Sequence, residues 1–268
     1  MMLMISTVEM VNWKTTSARR MSRPFPEAAK RLHTQKVKVT GTPVRAQFQP
    51  EDAGECRAAL GLDPDRPVLL VTGGSQGASG LNDLVIAALP FLAQLAPQLQ
   101  LFHLTGPGDA EKVTRACAEH KIKAVVRPFF AAMNVALGAA SAAISRAGAS
   151  SLAELAALRV PAILVPYPAA TDNHQYYNAL AFEKTGAAWL MPQRETKPEL
   201  LAVKLAELAG NEATREKMRA ALATWDAPQA AEQIAESIMQ VISARRKAAS
   251  PAAVTAQPNL KNRQTAIS

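Results

Sequence analysis

A chain of 268 residues, 49% of them hydrophobic and 5% aromatic, can bury a full core in one large domain or two small ones. Its formal net charge of +8 belongs to the ends: residues 1–45 hold nine Lys and Arg against two Glu, residues 245–268 hold five against no acid, and the stretch between is mildly acidic. That division argues against a nucleic-acid-binding domain, which would show a clustered basic face with interleaved aromatics. The two cysteines, Cys56 and Cys117, have no metal spacing and read as reduced structural thiols of a cytosolic protein.

The first 23 residues show no periodicity. Glu9 and Lys14 interrupt their apolar positions, so no signal-peptide core forms, and no stretch approaches the roughly 20 apolar residues of a membrane span. Residues 1–35 are expected to be a remnant or linker. From 36 onward strands and helices alternate. Strands are predicted at 36–40, 67–72, 99–105, 123–127, 142–145, 162–165 and 187–191. Helices are predicted at 51–60, 76–95, 109–120, 131–139, 150–158 and 173–184, followed by two or three Ala- and Glu-rich helices from 198 to about 242. This order predicts an α/β fold, a Rossmann-like doubly wound parallel sheet over 36–244. Residues 245–268 are expected to be a basic disordered tail, solvated or drawn to an anionic membrane surface. Ligands of such sheets bind at the C-terminal ends of strands, where the strand order reverses.

Four loops at those ends hold small or polar residues. The first, TGTPVR at 40–45, places Arg45 where a planar cation can meet a diphosphate by two parallel hydrogen bonds; a solvated loop arginine is the alternative. The second, GGSQGA at 73–78, stands between an apolar strand and an amphipathic helix. Gly73, Gly74 and Gly77 let the backbone turn tightly, and Ser75 and Gln76 lie beside the free N–H groups of a helix start, which suit a phosphate. The run lacks the Lys-Ser/Thr ending of a P-loop and the G-x-G-x-x-G order of a dinucleotide fold, so a plain strand-to-helix turn stays open.

The third loop, SRAGASSLAE at 145–154, enters a helix through Gly148, and Glu154 sits about one turn in. A carboxylate there can accept both hydroxyls of a ribose, or can simply favour the helix dipole. The fourth, PYPAATDNHQYYNA at 166–179, offers Asp172 as an N-cap and crowds Asn173, His174 and Gln175 onto one turn, groups suited to sugar hydroxyls. His33, His103 and His120 read as structural. No cluster has metal-ligand spacing, and no serine sits in a G-x-S-x-G elbow.

These four segments, in this order, resemble the MurG family of peptidoglycan glycosyltransferases, and the likeness runs from about residue 25 to about 242. The resemblance implies the C-terminal, donor-binding half of a GT-B fold. It implies inverting transfer of N-acetylglucosamine (GlcNAc) from UDP-GlcNAc to lipid I, undecaprenyl-pyrophosphoryl-N-acetylmuramoyl-pentapeptide, giving lipid II by direct displacement without cofactor or metal. By motif position Arg45 and Ser75 contact the diphosphate and Phe130 offers backbone groups to uracil. Ala149, Ser150, Ser151, Leu152, Ala153 and Glu154 wrap the nucleotide, with Glu154 on the ribose, and Gln175 holds GlcNAc hydroxyls. Gly73, Gly74, Gln76, Gly77, Gly148, Asp172, His174 and Asn178 support the phosphate loop and the sugar turn.

The expected location is peripheral, on the cytoplasmic face of the bacterial inner membrane, where the lipid I acceptor lies. The family's N-terminal domain, with its glycine loop and candidate base histidine, has no counterpart here. No catalytic residue is therefore assigned in this chain, and the acceptor side would come from a separate N-terminal domain. A non-catalytic UDP-sugar-binding module, or a GT-B transferase using another UDP-sugar, are the alternatives. Four positions depart from the family pattern: Thr42 replaces an Asn, Ala131 and Ala132 replace an acidic pair, and Arg159 stands where a helix-ending Gly is usual. A side chain at such a left-handed position costs on the order of 1 kcal/mol.

Overall fold

The computed structural model describes residues 21–23 and 37–249. Strands β3 (Val68–Thr72), β4 (Gln100–Leu104), β5 (Ala124–Arg127), β6 (Ala142–Ser145), β7 (Ala162–Leu164) and β8 (Trp189–Leu190) form one sheet. Its order is β5-β4-β3-β6-β7-β8, parallel throughout. The chain starts in the middle at β3, winds outward to β5, then returns to the other side of β3 and winds outward again to β8. The strand order therefore reverses between β3 and β6, and the crevice outside their C-terminal ends is the place such folds keep for a ligand.

Every residue of β3, β4, β6 and β7 is buried. Both faces of a parallel sheet are covered by helices, which is why these strands read as nearly unbroken apolar runs. The amide of Gln100 in β4 is paired on both sides: it accepts from Asp63 N–H at 2.9 Å and donates to Asp63 O at 3.0 Å. The covering helices are α1 (Ala53–Ala59), α2 (Ser79–Leu95), α3 (Ala110–Glu119), α4 (Met133–Ala139), α5 (Ala149–Ala157), α6 (His174–Lys184), α7 (Pro198–Gly210), α8 (Glu212–Ala223) and α9 (Ala230–Ala249). In α2, Leu81, Leu84, Val85, Ala88, Leu89 and Leu92 are buried at helical spacing, and α7 packs along it. Each such leucine stabilises the fold by about 1.5–3 kcal/mol. Cys56 and Cys117 are both buried thiols, and burial pushes Cys117 up to about 11.

The expected doubly wound sheet is present, with four corrections. The first expected strand, 36–40, is β2 (Val37–Val39), and it does not join the main sheet; it pairs in parallel with β1 (Met21–Arg23). Nothing in its sequence pattern distinguishes it from the strands of the larger sheet, and only its partner β1 sets it apart. The helix expected from Gln76 begins at Ser79, because Gly74 (φ 89°) and Gly77 (φ 73°) hold the preceding loop in a left-handed path. The helix expected from 131 begins at Met133. The last helix continues to Ala249, into the stretch expected as a tail. The remainder of the expectations for 1–35 and 245–268 lies outside the described residues.

Arg159 follows α5 at φ 52°, the left-handed conformation its position implied. Arg159→Gly is expected to stabilise the domain by about 0.5–1 kcal/mol. A urea titration checks this: the midpoint should rise with an unchanged slope. A lower midpoint would mean that the arginine side chain contributes more than its backbone strain costs.

Candidate functional site

The loop after β3 is shaped by backbone contact. A Cβ on Gly77 would lie 2.3 Å from the Thr105 carbonyl oxygen and 2.5 Å from Gly106 Cα, so the β3–α2 and β4–α3 turns touch chain to chain. On Gly73 a Cβ would lie 2.3 Å from Ala78 Cβ. Gly74 is different: it has a positive φ and open space around it. Ser75 and Gln76 are exposed on the tip. Helix α2 then begins at an uncapped end, since Ala78 supplies no side-chain hydrogen bond.

Below the loop Asn82 is buried and donates to Thr105 O at 2.9 Å and to Asp109 Oδ2 at 2.8 Å. Its Oδ1 lies 2.9 Å from His103 Nε2, which makes that ring nitrogen the donor. Burial pushes His103 down to about 4, so the ring is neutral, and its structural reading stands.

The loop after β6 opens on Arg146, which is 5% exposed. Its Nη1 donates to Val165 O and Pro166 O, both at 3.0 Å, and its Nη2 to Gln193 Oε1 at 2.6 Å. Burial pushes the guanidinium down to about 10. Gly148 then takes the N-cap position of α5 and offers no side chain. The first turn therefore leaves the N–H groups of Ala149, Ser150 and Ser151 without a partner among the described residues, Leu152 N–H being the first to bond, to Gly148 O at 2.9 Å.

The loop after β7 is tied to this one. Gln175 Oε1 accepts from Tyr167 N–H at 3.0 Å and from Ala147 N–H at 3.3 Å. One turn later Asn178 donates to Ala147 O at 3.1 Å. Gln175 and Asn178 thus share a face of α6 and hold the backbone N–H and C=O of one residue, Ala147. Asp172 is not the cap of this helix: it lies at φ 51° in a short 3-10 turn (Thr171–Asn173), and Asn173, at φ 55°, takes the cap position. Two successive left-handed residues consume the turn that an Asp172 cap would need. His174 holds its Nδ1 2.7 Å from Thr171 O.

Arg45 reaches across from the loop after β2. Its guanidinium lies 3.7 Å from Glu154 on α5 and stacks over the Phe48 ring at 4.9 Å. Glu154 is 22% exposed; burial raises its pKa, and Arg45 partly offsets this. Phe130 follows β5 and packs edge-on against Phe102, with ring centroids 5.3 Å apart. No backbone partner is found among the described residues for its N–H or C=O.

The predicted site residues thus converge on one end of the sheet, with distinctions the sequence did not show. Ala149 and Leu152 are buried at 2% and 0%, so only their backbone can serve a ligand. Alternation around a helix turns these two to the sheet and leaves Ser150 exposed. Gln175 spends its oxygen on scaffolding, so of its side-chain polar groups only the NH2 can turn to a ligand. Nothing in the local sequence marks Asn82, Asp109 or Gln193, and Arg146 stands inside its motif with no signal of its buried contacts. Among the described residues no group of three or more His, Cys, Asp and Glu is placed to hold a metal.

Residues 68–236 match the family model described as the glycosyltransferase family 28 C-terminal domain. The chain is 39% identical over 237 residues to the UDP-N-acetylglucosamine–N-acetylmuramyl-(pentapeptide) pyrophosphoryl-undecaprenol N-acetylglucosamine transferase of Anaeromyxobacter sp. (strain K), covering 88% of this chain and 60% of that one. It is 40% identical over 231 residues to the protein of that name from Synechococcus elongatus, covering 84% and 62%. Among solved structures it is similar to Acinetobacter baumannii MurG, with a TM-score of 0.64 and 27% identity over 82% of this chain and 60% of that one. The chain spans about 60% of the length of the curated relatives it matches.

Proposed function

This chain belongs to the glycosyltransferase family 28 C-terminal domain family, and we propose that it is the donor-binding half of an inverting transferase of peptidoglycan synthesis. It holds UDP-GlcNAc while GlcNAc passes to lipid I, giving lipid II. One observation carries this reading: the strands on either side of the reversal point, β3 and β6, each end in a small-residue loop that runs into an uncapped helix N-terminus. Two sets of orphan N–H groups at a sheet reversal suit a diphosphate. Beside them Arg45 supplies a cation, Glu154 an acceptor for ribose hydroxyls, Phe130 free backbone groups for uracil, and Gln175 a donor for the sugar. The relatives' names supply the sugar and its acceptor.

In a direct displacement the acceptor hydroxyl oxygen bonds to the anomeric carbon as the bond to UDP breaks, and negative charge develops on the leaving diphosphate. Fixed N–H dipoles and Arg45 stabilise that charge without reorganising. The hydroxyl proton needs a base. His174 belongs to the sugar turn, with Nδ1 held on Thr171 O, so the base is placed on the acceptor side, supplied by an N-terminal domain. A lipid-linked acceptor puts the work on the cytoplasmic face of the bacterial inner membrane, with the protein peripheral to it. No described helix is long and apolar enough to cross a membrane.

Isothermal titration with UDP, UDP-GlcNAc and ADP tests the reading. Weak binding of both uridine nucleotides, with ADP weaker still, is expected. Equal affinity for ADP and UDP, or no binding at millimolar ligand, would sink it.

A further inference from the structure

We propose that Arg146 is a buried counter-charge for the donor's diphosphate: a positioning residue that never touches the ligand and whose positive charge the protein leaves uncompensated until an anion enters the crevice. The inference rests on the donor-site reading above. Its first support is the arrangement of partners. Val165 O, Pro166 O and Gln193 Oε1 occupy Nη1 and Nη2, all three of them neutral, and no carboxylate among the described residues pairs with the guanidinium. Its Nε is buried with no hydrogen-bond partner among the described residues, and its one aromatic neighbour, the neutral Tyr167 ring, lies 5.6 Å from Cζ. A buried cation is ordinarily paired with an acid, because desolvation without compensation costs several kcal/mol.

The second support is position. Arg146 begins the β6–α5 loop, two residues before the uncapped N-cap Gly148. Its partner Gln193 also reaches α2: a Cβ on Gly80, in the first turn of that helix, would meet the Gln193 side chain at 2.5 Å. One glutamine therefore joins the guanidinium to the positive end of α2, and the chain itself sets the guanidinium two residues before the positive end of α5. Three positive sources converge on the strand-reversal crevice inside a low-dielectric wall, where their field is strong. The same contacts explain why the residue is arginine, since its fork holds the ends of β6 and β7 and the loop after β8 at once.

Gln193→Glu tests the idea without touching Arg146, because it places a carboxylate against the guanidinium at nearly constant shape. In the full chain, UDP and inorganic pyrophosphate should each bind on the order of tenfold more weakly, while uridine, followed by NMR at millimolar concentration, binds as before. The salt dependence of UDP binding should flatten, and the melting temperature should hold or rise. Arg146→Lys should retain UDP affinity within about threefold and Arg146→Met should lose on the order of tenfold; if either fails to fold, Gln193→Glu decides. Uridine affinity falling in step with UDP would show a merely structural role and overturn the proposal, as would unchanged UDP affinity in Gln193→Glu. A parent chain that binds pyrophosphate but not UDP would refute the nucleotide reading and leave the counter-charge judged by the pyrophosphate arm. Binding of neither would overturn both.

Discussion

Gly77→Ala is expected to destabilise the domain by about 3 kcal/mol and to remove measurable UDP binding. The new Cβ would stand 2.3 Å from Thr105 O and 2.5 Å from Gly106 Cα, and backbone on that side cannot rotate away as a side chain would. The conformation adds strain, at φ 73°. Relief requires the β3–α2 turn to lift from the β4–α3 turn, which displaces the orphan N–H groups of α2 and strains the Asn82–Asp109 hydrogen bond. Gly74→Ala is the control. It shares the positive φ, at 89°, but has nothing within 4 Å, so it should cost only about 1 kcal/mol. Urea denaturation of the two variants separates backbone angle from close approach. Equal stability of the two would show that the contact between the loops is not what holds them.

Glu154→Ala and Arg45→Ala are each expected to weaken UDP binding by about 1.5–3 kcal/mol, roughly 10- to 150-fold, while leaving the fold intact. Their ion pair at 3.7 Å is 56% exposed on the arginine side, so it contributes little to stability. The pH dependence follows from the sign of the Glu154 shift. Burial raises its pKa above the ordinary 4.5, so the folded protein holds this proton more tightly than the unfolded chain. Its ionisation therefore disfavours folding, a penalty present at pH above the folded pKa and absent below 4.5. Glu154→Gln should thus melt no lower than the parent near neutral pH. UDP affinity of the parent should fall as the pH drops through the raised pKa, since only the carboxylate accepts two ribose hydroxyls, and Glu154→Gln should lose that dependence. Parent-like affinity in either alanine variant, at an unchanged melting temperature, would make that residue a solvated surface group.

Much of the sheet was legible because its signals are local. An unbroken apolar run such as Val68–Thr72 marks a strand buried on both faces, and the spacing of Leu81, Leu84, Val85 and Ala88 marks a helix laid against it. Glycine loops between them, and the left-handed Arg159, are properties of a few consecutive backbone angles. Arg45, Glu154 and Gln175 are likewise candidates by residue type and motif, and the fold brings all three to the same end of the sheet.

What the tertiary structure decided is everything that depends on which distant groups meet. Only the strand order placed β6 beside β3 and so set two helix N-termini across one crevice. The 36–40 strand was visible by pattern, yet its pairing with β1 outside the main sheet was not. The clamp of Gln175 and Asn178 on the backbone N–H and C=O of Ala147 spans 28 and 31 residues, and the Arg146–Gln193 bond spans 47. Pairings of that kind are fixed by the packing of whole elements against one sheet. A sequence shows that a residue can donate or accept a hydrogen bond, but the partner, and whether a buried charge finds one at all, is settled only when the chain has closed around it.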